Sequence, residues 1–344
     1  MTFGTAIHAA LCLALGMALS PFAIDAAEAQ ARDIIVAVPN PSAITWTPLW
    51  VAIGEGYFED EGLNVTVQAV DGSAPVLQAM AAGQAEIGAP GPAPLLAARA
   101  RGTEVVFIYN LYPKSVFGLV VREESDYQQP ADLKDTTIGV GTADGAEVGF
   151  ARAILSEAGL QEREDYEFLP VGDGGLATAA FQRGDVVAYA AAVSDAAIMR
   201  SRGLALREIT PDEFLSFFGN GFAVMESLIE ESPEVVEGFG RALVRATRFA
   251  LDDANRDAVL DHTTAGNPQE GEDRDFAAAL LAAVMERMTP LEQFQDEGWG
   301  YQPPEHWQIW HESALDTGTL QQPLPDLEAA YTNDFVEAWN SEGR

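Results

Sequence analysis

Ile34-Ile35-Val36-Ala37-Val38 is an unbroken apolar run. It is followed by Pro48-Leu49-Trp50-Val51-Ala52-Ile53-Gly54-Glu55-Gly56-Tyr57-Phe58-Glu59, with Leu49, Ile53 and Tyr57 at four-residue spacing, and then by Val65-Thr66-Val67. A short run apolar on every residue suits a strand buried on both faces, and four-residue spacing suits a helix packed on it. The stretch therefore predicts one strand–helix–strand unit. The pattern continues with a helix over 74–82 ended by Gly83, a strand at Ile87-Gly88, a helix over 92–101 and a strand at Val105–Tyr109. Such alternation specifies layered α/β architecture.

A second series follows the strand Phe117–Val121 and the polar stretch 122–129. It has strands at 137–140, 167–170 and 186–190 and helices at 147–158, 176–183 and 195–202. The last third reads as helical, over 233–255, 273–288 and 304–315. These blocks predict two α/β lobes, with 32–121 plus 222–344 forming a discontinuous first lobe and 122–221 inserted as the second. Crossings near Val121 to Glu123 and near Asn220 to Phe222 would make a two-stranded hinge, and the cleft between the lobes is the natural ligand site.

The chain carries 53 acidic against 19 basic residues, a formal net charge of −34. No basic stripe offsets that charge, so nucleic acid and anionic lipid are excluded as partners. Hydrophobic residues make up 48% of the chain, enough for a sizeable core rather than a disordered acidic tail. Lysine is confined to Lys114 and Lys134. An acidic, lysine-poor surface stays soluble in high salt, where screening removes its self-repulsion.

Residues 6–24 are mostly apolar and lead to Ala27-Glu28-Ala29-Gln30-Ala31, which offers small-residue cleavage patterns. Residues 1–31 are thus expected to be a secretory leader, cut near Ala29 or Ala31, although its start carries only His8 and no Lys or Arg. An exported, periplasmic mature chain without stable membrane insertion follows. Cys12 is the only cysteine and lies in the leader, so the mature chain has no thiolate nucleophile and no disulfide.

Several motifs in order resemble a known family. Pro48 to Val65 is similar to the opening helix and second strand of substrate-binding proteins of the nitrate/taurine/alkanesulfonate and thiamine-pyrimidine-precursor group. Ala81-Ala82-Gly83-Gln84-Ala85-Glu86-Ile87-Gly88 resembles the group's next step, with Glu86 in place of the usual Asp. Asp132-Leu133-Lys134 through Ile138-Gly139-Val140 resembles the start of its second lobe. Gly184-Asp185-Val186-Val187-Ala188 follows the pattern except that Val187 replaces an Asp, and Tyr331-Thr332-Asn333-Asp334-Phe335 resembles the closing motif of the thiamine-precursor branch. The resemblance implies a type II periplasmic-binding-protein fold that closes on a small solute and delivers it to the permease of an ABC transporter. It implies no cofactor.

Ligands of open α/β sheets sit at the carboxyl ends of strands. Those loops supply the candidates Thr45, Trp46, Gly72, Ser73, Pro90, Tyr109, Asn110, Thr142, Asp173, Ser194 and Asp195. Trp46 could stack on a planar ligand, or pack between loop and helix. Ser73 could cap its helix or help its N-terminus hold an anion. Asp195 could accept from an amine or cap its own helix. Tyr109 and Tyr112 alternate and need not both face the cleft. No lysine or arginine falls in these loops, whereas Asp71, Asp144, Asp173 and Asp195 do. An amine- or ring-amino-bearing solute of the sulfonate or pyrimidine class therefore fits better than a bare anion. A ligand-sensing module of the same fold would read identically. A pyrimidine-synthase enzyme fits less well, because beyond the leader only Lys114, Lys134, His262, His306 and His311 could serve such chemistry.

Overall fold

The computed structural model describes residues 31–341 except Ser216. The expected leader, Ala31 apart, lies outside the described residues. Among the described residues no helix is long and apolar enough to cross a membrane.

Ten strands form two five-stranded sheets. The first contains β1 (Arg32–Val38), β2 (Leu63–Ala69), β3 (Ile87–Gly88), β4 (Val105–Tyr109) and β10 (Phe222–Met225), in the order β2-β1-β3-β10-β4. The second contains β5 (Phe117–Arg122), β6 (Thr136–Val140), β7 (Tyr166–Pro170), β8 (Ala188–Ala192) and β9 (Leu206–Glu208), in the order β7-β6-β8-β5-β9. β1 runs parallel to β2 and β3, and β6 runs parallel to β7 and β8. Each sheet also holds one antiparallel strand that the strand–helix–strand reading did not anticipate. β10 lies between β3 and β4, and β5 lies between β8 and β9.

This pairing moves the first crossing. β5 hydrogen-bonds β8 and β9 in the second sheet, so the chain passes between sheets at 110–116, upstream of the expected Val121 to Glu123. The run Phe117–Val121 is buried throughout and would read the same in either sheet. The chain returns through 209–221.

Local chemistry explains the element boundaries. The predicted helix 48–59 is broken in two, Thr47–Gly54 and Tyr57–Asp60, because Gly56 takes the left-handed conformation with φ +74°. The long helix Pro233–Leu251 starts on its proline and buries Val235, Val236, Phe239, Leu243 and Ala246 along one stripe. It packs on the helix Thr47–Gly54 and on Trp339, whose indole donates to the Val236 carbonyl at 3.1 Å. A helix at Arg256–Gly266, absent from the reading above, lies between two of the expected ones.

The main hydrophobic core runs through both sheets. It joins Ile34, Phe107 and Phe222 of the first to Phe117, Leu119 and Ile138 of the second. The helices Pro92–Ala100 and Ala146–Glu157 carry this contact. A Cβ built on Gly91 would fall 2.3 Å from the Ala146 Cβ, and one on Gly149 would fall 3.0 Å from the Ala93 Cβ. Gly91 has φ −81°, an ordinary value for any residue, so the demand for glycine there is steric alone.

A Gly91→Val substitution should therefore destabilise by about 1–3 kcal/mol through overpacking. Urea unfolding checks this. An unchanged midpoint would show that the two layers part freely at this contact.

Candidate functional site

The carboxyl ends of both parallel strand sets open on one cavity of about 520 Å³. The loop after β1 contributes Asn40, Ser42, Thr45 and Trp46, and the loop after β2 contributes Gly72 and Ser73. Across the cleft stand Thr142 and Glu147 after β6, Asp173 after β7, and Ser194 and Asp195 after β8. A third wall comes from the C-terminal helices, with Asn267, Glu270, Phe276 and Arg287.

Of the residues picked from the sequence, Thr45, Trp46, Gly72, Ser73, Thr142, Asp173, Ser194 and Asp195 all line this cavity. The other three point elsewhere. Tyr109 is the last residue of β4 and turns into the core, with its ring 5.3 Å from that of Trp339 and 6.2 Å from that of Phe222. Tyr112 takes the cleft-facing place instead and donates its hydroxyl to the Thr45 carbonyl. Asn110 is buried in a separate small hollow beside Pro113, Phe294 and His306, and its backbone N–H donates to the Gly300 carbonyl at 3.0 Å. Pro90 is buried under the returning crossing, where its carbonyl accepts from Gly221 N–H at 3.4 Å.

Trp46 is 1% exposed, and its indole N–H donates to Asn40 Oδ1 at 3.3 Å. It is a floor packed on Phe222 rather than a free stacking plate. Apolar faces for a ligand come from Phe117 and the half-buried Phe276. Ser73 is not the expected N-cap. Gly72 holds that position, while the Ser73 hydroxyl accepts from Gly91 N–H at 3.2 Å and ties two loops together. Gly72 has φ +102°, and a Cβ there would fall 2.7 Å from Thr142 Oγ1 on the facing side of the cleft. That Thr142 hydroxyl is buried and has no hydrogen-bond partner among the described residues.

The electrostatics centre on three carboxylates. Asp195 accepts from Gly174 N–H at 2.9 Å and so holds the neighbouring loop, and its carboxylate lies close to the Ala192 N–H at its own helix start. Asp173 accepts from the Tyr189 hydroxyl at 3.3 Å. Glu147, which sequence reasoning treated only as a helix residue, accepts from Thr142 N–H at 3.2 Å and folds over Gly145 and Gly141. No lysine or arginine forms an ion pair with any of the three among the described residues. Burial pushes the Glu147 carboxyl up to about 7, an effect opposed by its backbone hydrogen bonds and reinforced by Asp173. Burial raises Asp195 well above the usual carboxylate range, with the negative charge of Asp173 next in importance. Asp173 is the most exposed of the three, yet partial burial of its carboxyl raises it as well, and the Tyr189 hydroxyl opposes this.

Asp71 and Asp144, expected near the cleft, are exposed. The strand-end loops indeed carry no cation, yet Arg202 and Arg287 reach the cavity from helix ends. Glu270, Phe276 and Arg287 lie far from any strand end, so a search confined to those loops could not find them.

The family described as NMT1/THI5 like matches residues 43–256. The chain belongs to that family. It is 28% identical over 330 residues to the riboflavin-binding protein RibY of Chloroflexus aurantiacus, covering 93% of this chain and 91% of that one. It is 24% identical over 259 residues to the formylaminopyrimidine-binding protein of Halalkalibacterium halodurans, covering 72% and 75%. Both relatives are binding proteins. Among solved structures, the alkanesulfonate-binding protein SsuA of Xanthomonas axonopodis pv. citri superposes with a TM-score of 0.67 at 17% identity, covering 87% of this chain and 98% of that one. The desulfurization enzyme DSZB shares the fold at a TM-score of 0.59 and 17% identity, covering 91% and 100%. The chain thus has the periplasmic-binding-protein fold, an architecture that also carries an enzyme.

Because folding raises the Asp195 and Glu147 carboxyls, both hold protons more tightly when folded than when unfolded. Their ionisation then opposes folding increasingly as pH climbs from about 4, the ordinary carboxylate range, to 7 and beyond. In thermal melts of the unliganded protein, Asp195→Asn should gain stability relative to wild type as pH rises from about 5 to 9. A difference in melting temperature that stays flat or falls over that range would refute the assignment.

Proposed function

We propose that this protein is the exported solute-binding component of an ABC importer, and that its cargo is a neutral, donor-rich nitrogen heterocycle of the flavin or pyrimidine class. The observation that carries this reading is the trio Glu147, Asp173 and Asp195. It faces a cavity of about 520 Å³ with no ion-pair partner among the described residues. Carboxyl groups held in that setting favour ring N–H, amino or hydroxyl donors and disfavour anions. The volume lies in the range of sites for drug-sized organic molecules and far exceeds the needs of an inorganic anion. Phe117 and Phe276 offer apolar area to a ring. The names of the two relatives point in the same chemical direction.

The mechanism is binding and release without chemistry. A solute that touches the β1 and β2 loops on one side and the β6, β7 and β8 loops on the other has more contacts when the two sides are close. Its differential affinity then shifts the population towards closure. A permease would read the closed form. Periplasmic location agrees with the character of the structural neighbours and with the apolar leader of the sequence.

Calorimetry of residues 32–344 with riboflavin, an aminopyrimidine, nitrate and an alkanesulfonate tests the reading. Heat of binding from riboflavin or the aminopyrimidine, and none from nitrate, is the expected result. Phe276→Ala should weaken that binding by about tenfold, the equivalent of 1.4 kcal/mol of lost apolar contact. Trp46→Ala is the poorer probe, because removing a buried tryptophan costs about 3–5 kcal/mol of stability by itself. Binding of nitrate or sulfonate alone would overturn the heterocycle assignment. Turnover of a bound compound would overturn the non-enzymatic one.

A further inference from the structure

The wall that carries Thr45 and Trp46 is a turn, not a regular element, and its order has to come from somewhere. Part of it comes from local hydrogen bonds. Ser42 Oγ accepts from Thr45 N–H at 3.2 Å and from the Thr45 hydroxyl at 2.9 Å. Asn40 Oδ1 accepts from Ser42 N–H at 3.1 Å as well as from the Trp46 indole. The helix that follows, Thr47–Gly54, has no side-chain cap at its N-terminus. Most N–H groups of the turn find local acceptors, Trp46 N–H on the Ala43 carbonyl at 3.1 Å among them, but that of Ile44 is satisfied from a distant part of the chain. Glu270 Oε2 accepts from Ile44 N–H at 3.0 Å, and the same carboxylate lies beside Ala43 N–H and the Ser42 hydroxyl, both of which favour its charged form. Three residues earlier, Asn267 Nδ2 donates to the Pro41 carbonyl at 3.2 Å.

Glu270 sits on the short 3-10 turn Pro268–Gly271, which is held firmly in its turn. Asn267 caps that turn by accepting from Gln269 N–H at 3.2 Å. A Cβ on Gly271 would fall 2.3 Å from Thr264 Oγ1, so the turn lies flat on the helix Arg256–Gly266. That helix in turn packs on Thr47–Gly54. A capped turn packed on that helix thus presents one carboxylate to the Ile44 N–H of the turn that walls the cavity, beside Ala43 and Ser42.

We propose that Glu270 is a positioning residue for solute binding, holding Ser42 to Ile44 so that Thr45 and Trp46 shape the cleft. It lies beyond residues 43–256, the stretch the family match covers. A carboxylate that satisfies a backbone N–H without a local partner does for this turn what a capping side chain does for a helix start. The proposal rests on the cleft being the solute site, and its test has an arm that does not.

The test compares wild type, Glu270→Ala and Glu270→Gln. Hydrogen exchange of the unliganded proteins is read at residues 42–46 and, as a control, in β4. The alanine variant should exchange about tenfold faster at 42–46 with β4 unchanged, because local opening is eased without global loss. The glutamine variant, which keeps one acceptor oxygen, should lie between the two. Riboflavin affinity by calorimetry should fall about tenfold in the alanine variant and be largely restored in the glutamine variant, the scale expected for losing hydrogen bonds to a carboxylate. Unchanged exchange at 42–46 in the alanine variant overturns the proposal. So does wild-type affinity for riboflavin in that variant. If wild type does not bind riboflavin, the flavin reading fails and the exchange arm alone decides the role of Glu270.

Discussion

Each sheet is completed by a strand that arrives from the other half of the chain. β5 follows directly on the passage out of the first sheet and lies antiparallel between β8 and β9. β10 follows directly on the passage back and lies antiparallel between β3 and β4. Without β10, β4 would have no strand joining it to β3, because the order places β10 between them. The two passages therefore do more than connect. They fix each sheet's internal order, and with it the direction in which the parallel strands point their carboxyl ends. Both sets of ends open on the same cavity, and the apolar core seals the opposite side through Gly91, Ala146, Ala93 and Gly149. A cleft shut at its back and open at its front follows from strand order.

Charge acts differently inside this cleft and outside it. The net charge of −34 is spread over a solvated surface, where ions screen like charges beyond about 10 Å at 0.1 M salt. Glu147 and Asp195 are screened less, since Asp195 is buried, Glu147 is half-buried, and neither has an ion-pair partner among the described residues. Burial is the largest cause of the raised Glu147 and Asp195 carboxyls, ahead of any neighbouring carboxylate, so keeping a proton answers desolvation more than mutual repulsion. A ligand's donors are the natural replacement for those protons.

Much of the frame was legible because apolar period maps directly onto buried strands and helix stripes. Val105–Tyr109 is a strand with those limits, and the helix starting at Pro233 buries the stripe its spacing implies. What periodicity cannot carry is partnership. Phe117–Val121 is apolar at every position, so nothing local says which sheet it joins. Tyr109 and Tyr112 are of one residue type three positions apart, and only the register at the end of β4 sends one to the core and the other to the cleft. The strand-end rule found most of the cleft on both sides, since loop position is set by topology. It missed Glu147, the second residue of its helix, and everything contributed by the C-terminal helices.

That last omission has a physical meaning. Strand-end loops are constrained by the sheet and recur wherever the fold recurs, which is why low-identity structures superpose on this chain. The segment from Arg256 to Met288 carries no such constraint from the sheets. It reaches the cleft by packing against the helices Thr47–Gly54 and Val193–Ser201, one from each side of the cavity. Contact with both sides makes it sensitive to their separation, and its side chains Glu270, Phe276 and Arg287 bring a carboxylate, an apolar ring and a cation to one wall. A wall assembled outside the shared sheets can change without disturbing them. Cargo preference in this fold is thus free to diverge in the helices while the sheets keep the opening itself in place.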